Sequence, residues 1–144
     1  MNIKAIELYI NEIDQIFNLL KQLTDSSYQL DIERYKNIIF NLPKNHRILL
    51  YVDEESQKIL GMITVIIEQK LIHNGACVAH IEDLVVDKEY RKQGIAKELL
   101  DYTIEYAKKN DCYKIILDCD KSLIPFYEKS GLKEKETQMA MYFY

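Results

Sequence analysis

Between residues 78 and 109 the chain reads as a strand, a polar loop, one glycine and a long amphipathic helix. That order constrains the fold more than any other feature. The run Val78-Ala79-His80-Ile81-Glu82-Asp83-Leu84-Val85-Val86-Asp87 ends just before Arg91-Lys92-Gln93-Gly94-Ile95-Ala96. Ala96, Leu99, Leu100, Thr103 and Ala107 then share one helical face. The first N–H groups of a helix have no internal partner and lie at its positive end. A basic residue, a glycine hinge and a helix start therefore suit a pyrophosphate. They equally suit a helix start that needed a small residue, and on spacing alone both readings stand.

The rest of the chain supplies the other elements. Residues 3–8 read as a first strand, and Ile13, Ile16, Phe17, Leu20 and Leu23 form a helical stripe. Thr24-Asp25-Ser26-Ser27 interrupts it with turn-forming residues. Residues 31–42 read as a second helix with Ile32, Tyr35, Ile38, Ile39 and Leu42 on one side, ended by Pro43. Residues 47–52 and 59–68 flank the polar turn Asp53-Glu54-Glu55-Ser56-Gln57 as an antiparallel hairpin. Further strands are expected over 76–86, 113–119 and 138–143, helices over 94–109 and 123–129, and a left-handed stop at Gly131. The order β-αα-βββ-α-β-α-β makes a mixed α/β (α+β) domain, taken as one domain over 1–144.

Composition narrows the function classes. The chain has 144 residues, enough to bury roughly two thirds of its unfolded surface. A formal net charge of −4 argues against a general nucleic-acid surface. No apolar run approaches the roughly 20 residues of a membrane span, and the start lacks a secretory h-region. Cys77, Cys112 and Cys119 form no metal-ligand spacing and are expected to be buried, reduced thiols of a cytoplasmic protein. His73 has no second His or Cys at ligand spacing, so no metal site is expected.

The pattern Arg-x-x-Gly-x-Ala, opening a long helix after a strand, resembles the acetyl-CoA signature of the GCN5-related N-acetyltransferases. Further stretches resemble one family within that superfamily, the glucosamine-6-phosphate N-acetyltransferases. They are Ile66-Ile67-Glu68-Gln69-Lys70-Leu71-Ile72-His73, His80-Ile81-Glu82-Asp83-Leu84-Val85-Val86 and Cys112-Tyr113-Lys114-Ile115-Ile116-Leu117-Asp118-Cys119. Phe126-Tyr127-Glu128-Lys129-Ser130-Gly131-Leu132 and Leu20-Lys21-Gln22-Leu23-Thr24 add to the match, which spans nearly the whole chain.

The resemblance implies a central, mostly antiparallel sheet with a splayed strand pair and flanking helices. It implies that the backbone of Leu84, Val85 and Val86 binds pantetheine as an added strand and helps hold an oxyanion. Arg91, Lys92, Gln93, Gly94, Ile95, Ala96 and Lys97 would hold the pyrophosphate, with Lys129 also on the acetyl-CoA side. Tyr127 would return a proton to the leaving thiolate, a suitable task for a phenol of pKa near 10. Its other reading is a core or rim residue.

Asp118 is expected at the end of a buried strand, orienting the acceptor amine; otherwise it caps the helix near Ser122. Glu82 and Asp83 form an acidic pair on the bulged strand. As strand neighbours they face opposite ways and are not expected to act as a dyad. Thr24, Lys70, His73, Tyr113 and Lys114 match the sugar-phosphate site, beside Glu82, Asp83 and Asp118. Relatives carry an arginine on the last strand that reaches the phosphate across a dimer interface, whereas residues 138–144 here have none. Lys133, Lys135 or Arg47 then substitutes, or phosphate is held more weakly.

Met139, Met141, Tyr142, Phe143 and Tyr144 make an apolar end typical of interfaces. With the family's dimeric habit they point to a homodimer; an ordinary buried last strand is the other reading. The implied chemistry is direct acetyl transfer to an amino-sugar phosphate without an acyl-enzyme, since no Cys/His pair is evident. Acetylation of a protein N-terminus, lysine or polyamine, or acetyl-CoA binding without turnover, are the alternatives.

Overall fold

The computed structural model describes residues 2–24 and 30–143. Asp25, Ser26 and Ser27 of the expected turn, and Tyr144, lie outside them. Strands β1 (Ile3–Ala5), β2 (His46–Val52), β3 (Ile59–Gln69), β4 (Cys77–Val86) and β5 (Cys112–Ile116) form one sheet in the order β1-β2-β3-β4-β5. All neighbours pair antiparallel except β4 and β5, which run parallel. The helices are α1 (Ile13–Leu23), α2 (Ile32–Phe40), α3 (Ile95–Lys109) and α4 (Ile124–Glu128). This is the mixed α/β pattern expected.

Helices cover both faces, so the central strands carry continuous apolar runs rather than alternation. Residues 59–65 of β3 are all buried. On one face Ile16 and Leu19 of α1 with Tyr35 and Ile39 of α2 pack against Leu50, Val52, Met62 and Val85. On the other, Ile95, Leu99 and Leu100 of α3 with Tyr127 of α4 pack against Leu49, Ile63, Ile81 and Val86. Each fully buried Leu or Ile contributes about 1.5–3 kcal/mol. Asp31 caps α2, accepting a 2.9 Å bond from the Arg34 N–H, as an N-cap aspartate does.

Several elements differ from expectation. β1 stops at Ala5, and Ile6–Tyr9 turns into a 3₁₀ helix that buries Ile6. In α2, Ile32 and Ile38 stay exposed, and Tyr35 and Ile39 carry the packing. β5 ends at Ile116, so Asp118 lies two residues beyond the strand and is exposed rather than buried. Cys119 is exposed too, and Cys77 and Cys112 are only partly buried. Residues 138–143 form no strand. Residues 139–143 are a continuous apolar run, but among the described residues they pair with no strand.

Candidate active site

The site is built where β4 leaves β5. Their pairing runs from Cys77↔Cys112 to His80↔Ile116 and stops. β4 continues for six residues, 81–86, still paired to β3 through Val85↔Met62 and Val86↔Gly61. The backbone of Leu84, Val85 and Val86 therefore borders a gap instead of a strand. A bulge sets this divergence. The register shifts between Met62 and Thr64, so Asp83 and Leu84 together oppose Ile63, and Asp83 takes a left-handed φ of 51°. Such bulges bend and twist a strand.

The start of α3 lies at the top of the gap. Lys92 (φ 63°) and Gly94 (φ 88°) both have positive φ, and turns with left-handed residues are a common source of anion-binding N–H concavities. The ladder of α3 opens with Glu98 N–H donating to the Gly94 carbonyl at 3.0 Å. The N–H groups just before it, through residue 97, are those a helix start leaves for a ligand. A Cβ on Gly94 would meet nothing within 4 Å, so the space over the turn is open. The residues here fit the diphosphate of a coenzyme. The side chains add less than expected: Arg91 Nε donates back to the Val86 carbonyl at 3.0 Å, and Lys97 pairs with Asp101.

Below the gap lies a cluster of carboxylates. Burial first, then the charges of Asp118 and Asp83, push the Glu82 carboxyl above the usual range, while His80 opposes them. Glu82 keeps solvent contact, which moderates the shift. The bulge breaks the simple alternation expected for Glu82 and Asp83; both are exposed, and Glu82 feels the charge of Asp83. Asp118 accepts a 2.7 Å bond from Gln138 Nε2. It is not the helix cap: Asp120 is, with Oδ1 accepting from the Ser122 N–H at 2.8 Å. Tyr127 is 9% exposed at the edge of the α3-side core, and burial raises its phenol pKa, with nearby Cys119 adding to it.

The residues expected at a sugar phosphate fall into separate groups. His73 stacks on Tyr113 with ring centroids 4.1 Å apart, and Lys114 Nζ lies 5.6 Å over the same ring. Lys70 pairs with Glu68, whose other oxygen lies 2.6 Å from His80 Nε2. Thr24 ends α1 and joins neither group. Arg47 lies on the far face: its Nε donates to Tyr106 Oη of α3 at 3.1 Å. Within one chain that bond holds its guanidinium against α3. Lys133 and Lys135 are exposed, as is Lys129.

Sequence reasoning did not assign Glu68, His80, Gly61 or Gln138. The period-two spacing of His80 and Glu82 places both on the open face, a signal available in advance. Gly61 is the one glycine inside a strand among the described residues, and such a glycine often marks a close backbone approach. A Cβ there would meet the Val85 carbonyl oxygen at 3.1 Å and Ile95 Cγ2 at 3.2 Å. Gln138 carried no local signal.

The sheet thus splits at its parallel pair, the start of α3 lies against β4 there, and Tyr127 is buried in the α3-side core. The chain belongs to the acetyltransferase (GNAT) family, whose model matches residues 11–132; members use acetyl-CoA as co-substrate. It is 37% identical over 127 residues to a glucosamine 6-phosphate N-acetyltransferase of Arabidopsis thaliana, covering 87% of this chain and 85% of that one. Glucosamine 6-phosphate N-acetyltransferase 1 of Dictyostelium discoideum is 32% identical over 94% of this chain and 87% of its own length. The crystal structure of the Arabidopsis thaliana glucosamine-6-phosphate N-acetyltransferase superposes with a TM-score of 0.90 at 32% identity, covering 98% of this chain and 97% of that chain.

Proposed function

We propose that the chain transfers the acetyl group of acetyl-CoA to the 2-amine of D-glucosamine 6-phosphate, giving N-acetyl-D-glucosamine 6-phosphate and CoA. The observation that carries this reading is the gap between β4 and β5, with Glu82 and Asp118 below it and Tyr127 beside it. The likeness to glucosamine 6-phosphate N-acetyltransferases over most of the chain supports the acceptor.

Each residue then has a task. The N–H groups of Gln93, Gly94, Ile95, Ala96 and Lys97 hold the diphosphate, with Lys92, Arg91 and Lys129 at its rim. The backbone of Leu84, Val85 and Val86 pairs with pantetheine and places the thioester carbonyl against an N–H donor. Asp118 and Glu82 orient the acceptor amine, and Asp83 binds a sugar hydroxyl. A 2-amino sugar is less basic than lysine because of its neighbouring oxygens, so a useful fraction is neutral and proximity supplies much of the acceleration. The raised pKa keeps Tyr127 protonated and ready to donate to the departing thiolate. Thr24, Lys70, His73, Tyr113 and Lys114, which form separate groups within one chain, receive the sugar phosphate in the assembled dimer.

The working form in this reading is a homodimer of single-domain chains in the cytoplasm, feeding UDP-N-acetylglucosamine synthesis. β5 ends the sheet order, and among the described residues no strand pairs with its outer edge. Met139, Met141, Tyr142 and Phe143 are 79–94% exposed. A second copy would cover both and complete the phosphate site. Among the described residues no helix is long and apolar enough to cross a membrane.

A substrate panel tests the reading. Purified protein with acetyl-CoA should release thiol with glucosamine 6-phosphate far faster than with glucosamine, lysine peptides or polyamines. Equal rates across the panel would sink the assigned acceptor. Light scattering should report a dimer, and a monomer at working concentration would remove the shared site.

A further inference from the structure

We propose that Gln138 is a positioning residue that aims the Asp118 carboxylate at the acceptor amine. The proposal rests on the assignment of Asp118 above. Asp118 lies past the end of β5, in residues 117–120, which belong to no helix or strand. The ladder that holds β5 therefore does not orient its carboxylate. The terminal torsion of an aspartate is broad, so an unanchored carboxylate samples many directions. Gln138 Nε2 donates to Oδ2 at 2.7 Å and leaves Oδ1 to accept from a sugar amine.

The chemistry of the donor matters as much as its place. Glu82 already feels Asp118 as a like charge, and Asp118, Asp120 and Glu134 all act on the Cys119 thiol, so the locality is acidic. A glutamate at 138 would add repulsion, and a lysine would neutralise the carboxylate that has to attract the amine. A primary amide fixes direction and leaves the charge in place. Residues 133–143 are exposed throughout. Among the described residues, this is the one side-chain hydrogen bond tying that segment to the rest of the chain. The segment that carries the apolar end thus also carries a handle on the site.

The test is a double-mutant cycle with Gln138→Leu, Asp118→Asn and both together, plus Gln138→Glu. Gln138→Leu should lower kcat about five- to twentyfold, with the acetyl-CoA KM, the thermal midpoint and the oligomeric state unchanged. Adding it to Asp118→Asn should cost nothing further, because coupled residues are not additive. For Gln138→Glu, the ratio of variant to parent rate should rise as pH falls, when the introduced carboxyl gains a proton to donate. An unchanged kcat in Gln138→Leu beside a crippled Asp118→Asn overturns the proposal and leaves Asp118 standing. Additive losses, or a loss that tracks a lower midpoint or a dissociated dimer, also overturn it. A fully active Asp118→Asn removes the Asp118 assignment and this proposal with it.

Discussion

His80 Nε2 lies 2.6 Å from Glu68 Oε2, and the second oxygen of that carboxylate holds Lys70 Nζ, so one side chain on β3 fixes two basic groups beside the open face. The bonds to Lys70 and then His80 lower the Glu68 pKa. Its stabilising share is therefore present above the ordinary glutamate range and lost as pH falls through the lowered value. Glu68→Gln should raise the KM for glucosamine 6-phosphate severalfold and leave that for acetyl-CoA unchanged. Steady-state kinetics with each substrate varied in turn would check this; equal changes in both would remove the link to phosphate.

Glu82→Gln should separate stability from turnover. The Glu82 pKa is raised, chiefly by burial. The folded state thus favours the protonated form, and that favour is complete below the ordinary glutamate pKa and lost as pH rises through the raised value. At neutral pH the ionised carboxylate works against the fold. The substitution should raise the melting midpoint more at pH 7 than at pH 4 and lower kcat at the same time. Melts at the two pH values, with rates at pH 7, decide it; equal midpoint shifts would contradict the assignment.

Gly61→Ala should weaken both the fold and the donor site. Its Cβ would stand 3.1 Å from the Val85 carbonyl oxygen and 3.2 Å from Leu99 Cδ1. Overpacking of this kind costs about 1–3 kcal/mol, more than the alanine regains from reduced chain freedom. Relief comes by moving the start of α3 away from β4, which spoils the alignment of N–H groups with the gap. Denaturant titration and an acetyl-CoA binding isotherm should both register the loss, and an intact affinity would separate packing from binding.

Tyr127→Phe keeps the ring that packs in the α3-side core and removes the hydroxyl. Turnover should fall by about 10²-fold, the lower end of what a positioned acid supplies. Acetyl-CoA affinity and the thermal midpoint should hardly move. Single-turnover rates at saturating acetyl-CoA measure this; an unchanged rate would end the acid role.

Much of this architecture was legible because it is periodic or local. The three- and four-residue spacing of Leu99, Leu100, Thr103 and Ala107 marks α3, and all four are buried. Gly94 marks its start. What was not legible depends on partners far away in sequence. The apolar run at 139–143 reads as a strand, yet a strand needs a neighbour, and among the described residues it pairs with none. Asp118 reads as strand because Ile115, Ile116 and Leu117 precede it, but β5 stops where β4 turns away. That turn originates in a bulge at Asp83, whose positive φ an aspartate tolerates but no spacing in the sequence announces. The bond from Gln138 to Asp118 spans 20 residues, beyond any pattern of spacing.

The cradle before α3 is made of main-chain N–H groups, which every amino acid but proline carries. Its chemistry is therefore largely independent of the letters written over it. A saturation scan should find Gln93 and Lys97 permissive to neutral side chains, proline apart. Gly94, held at a φ of 88°, should tolerate almost nothing. Relatives could drift through most of this loop and still grip the same diphosphate, so long as one residue without a side chain keeps its place.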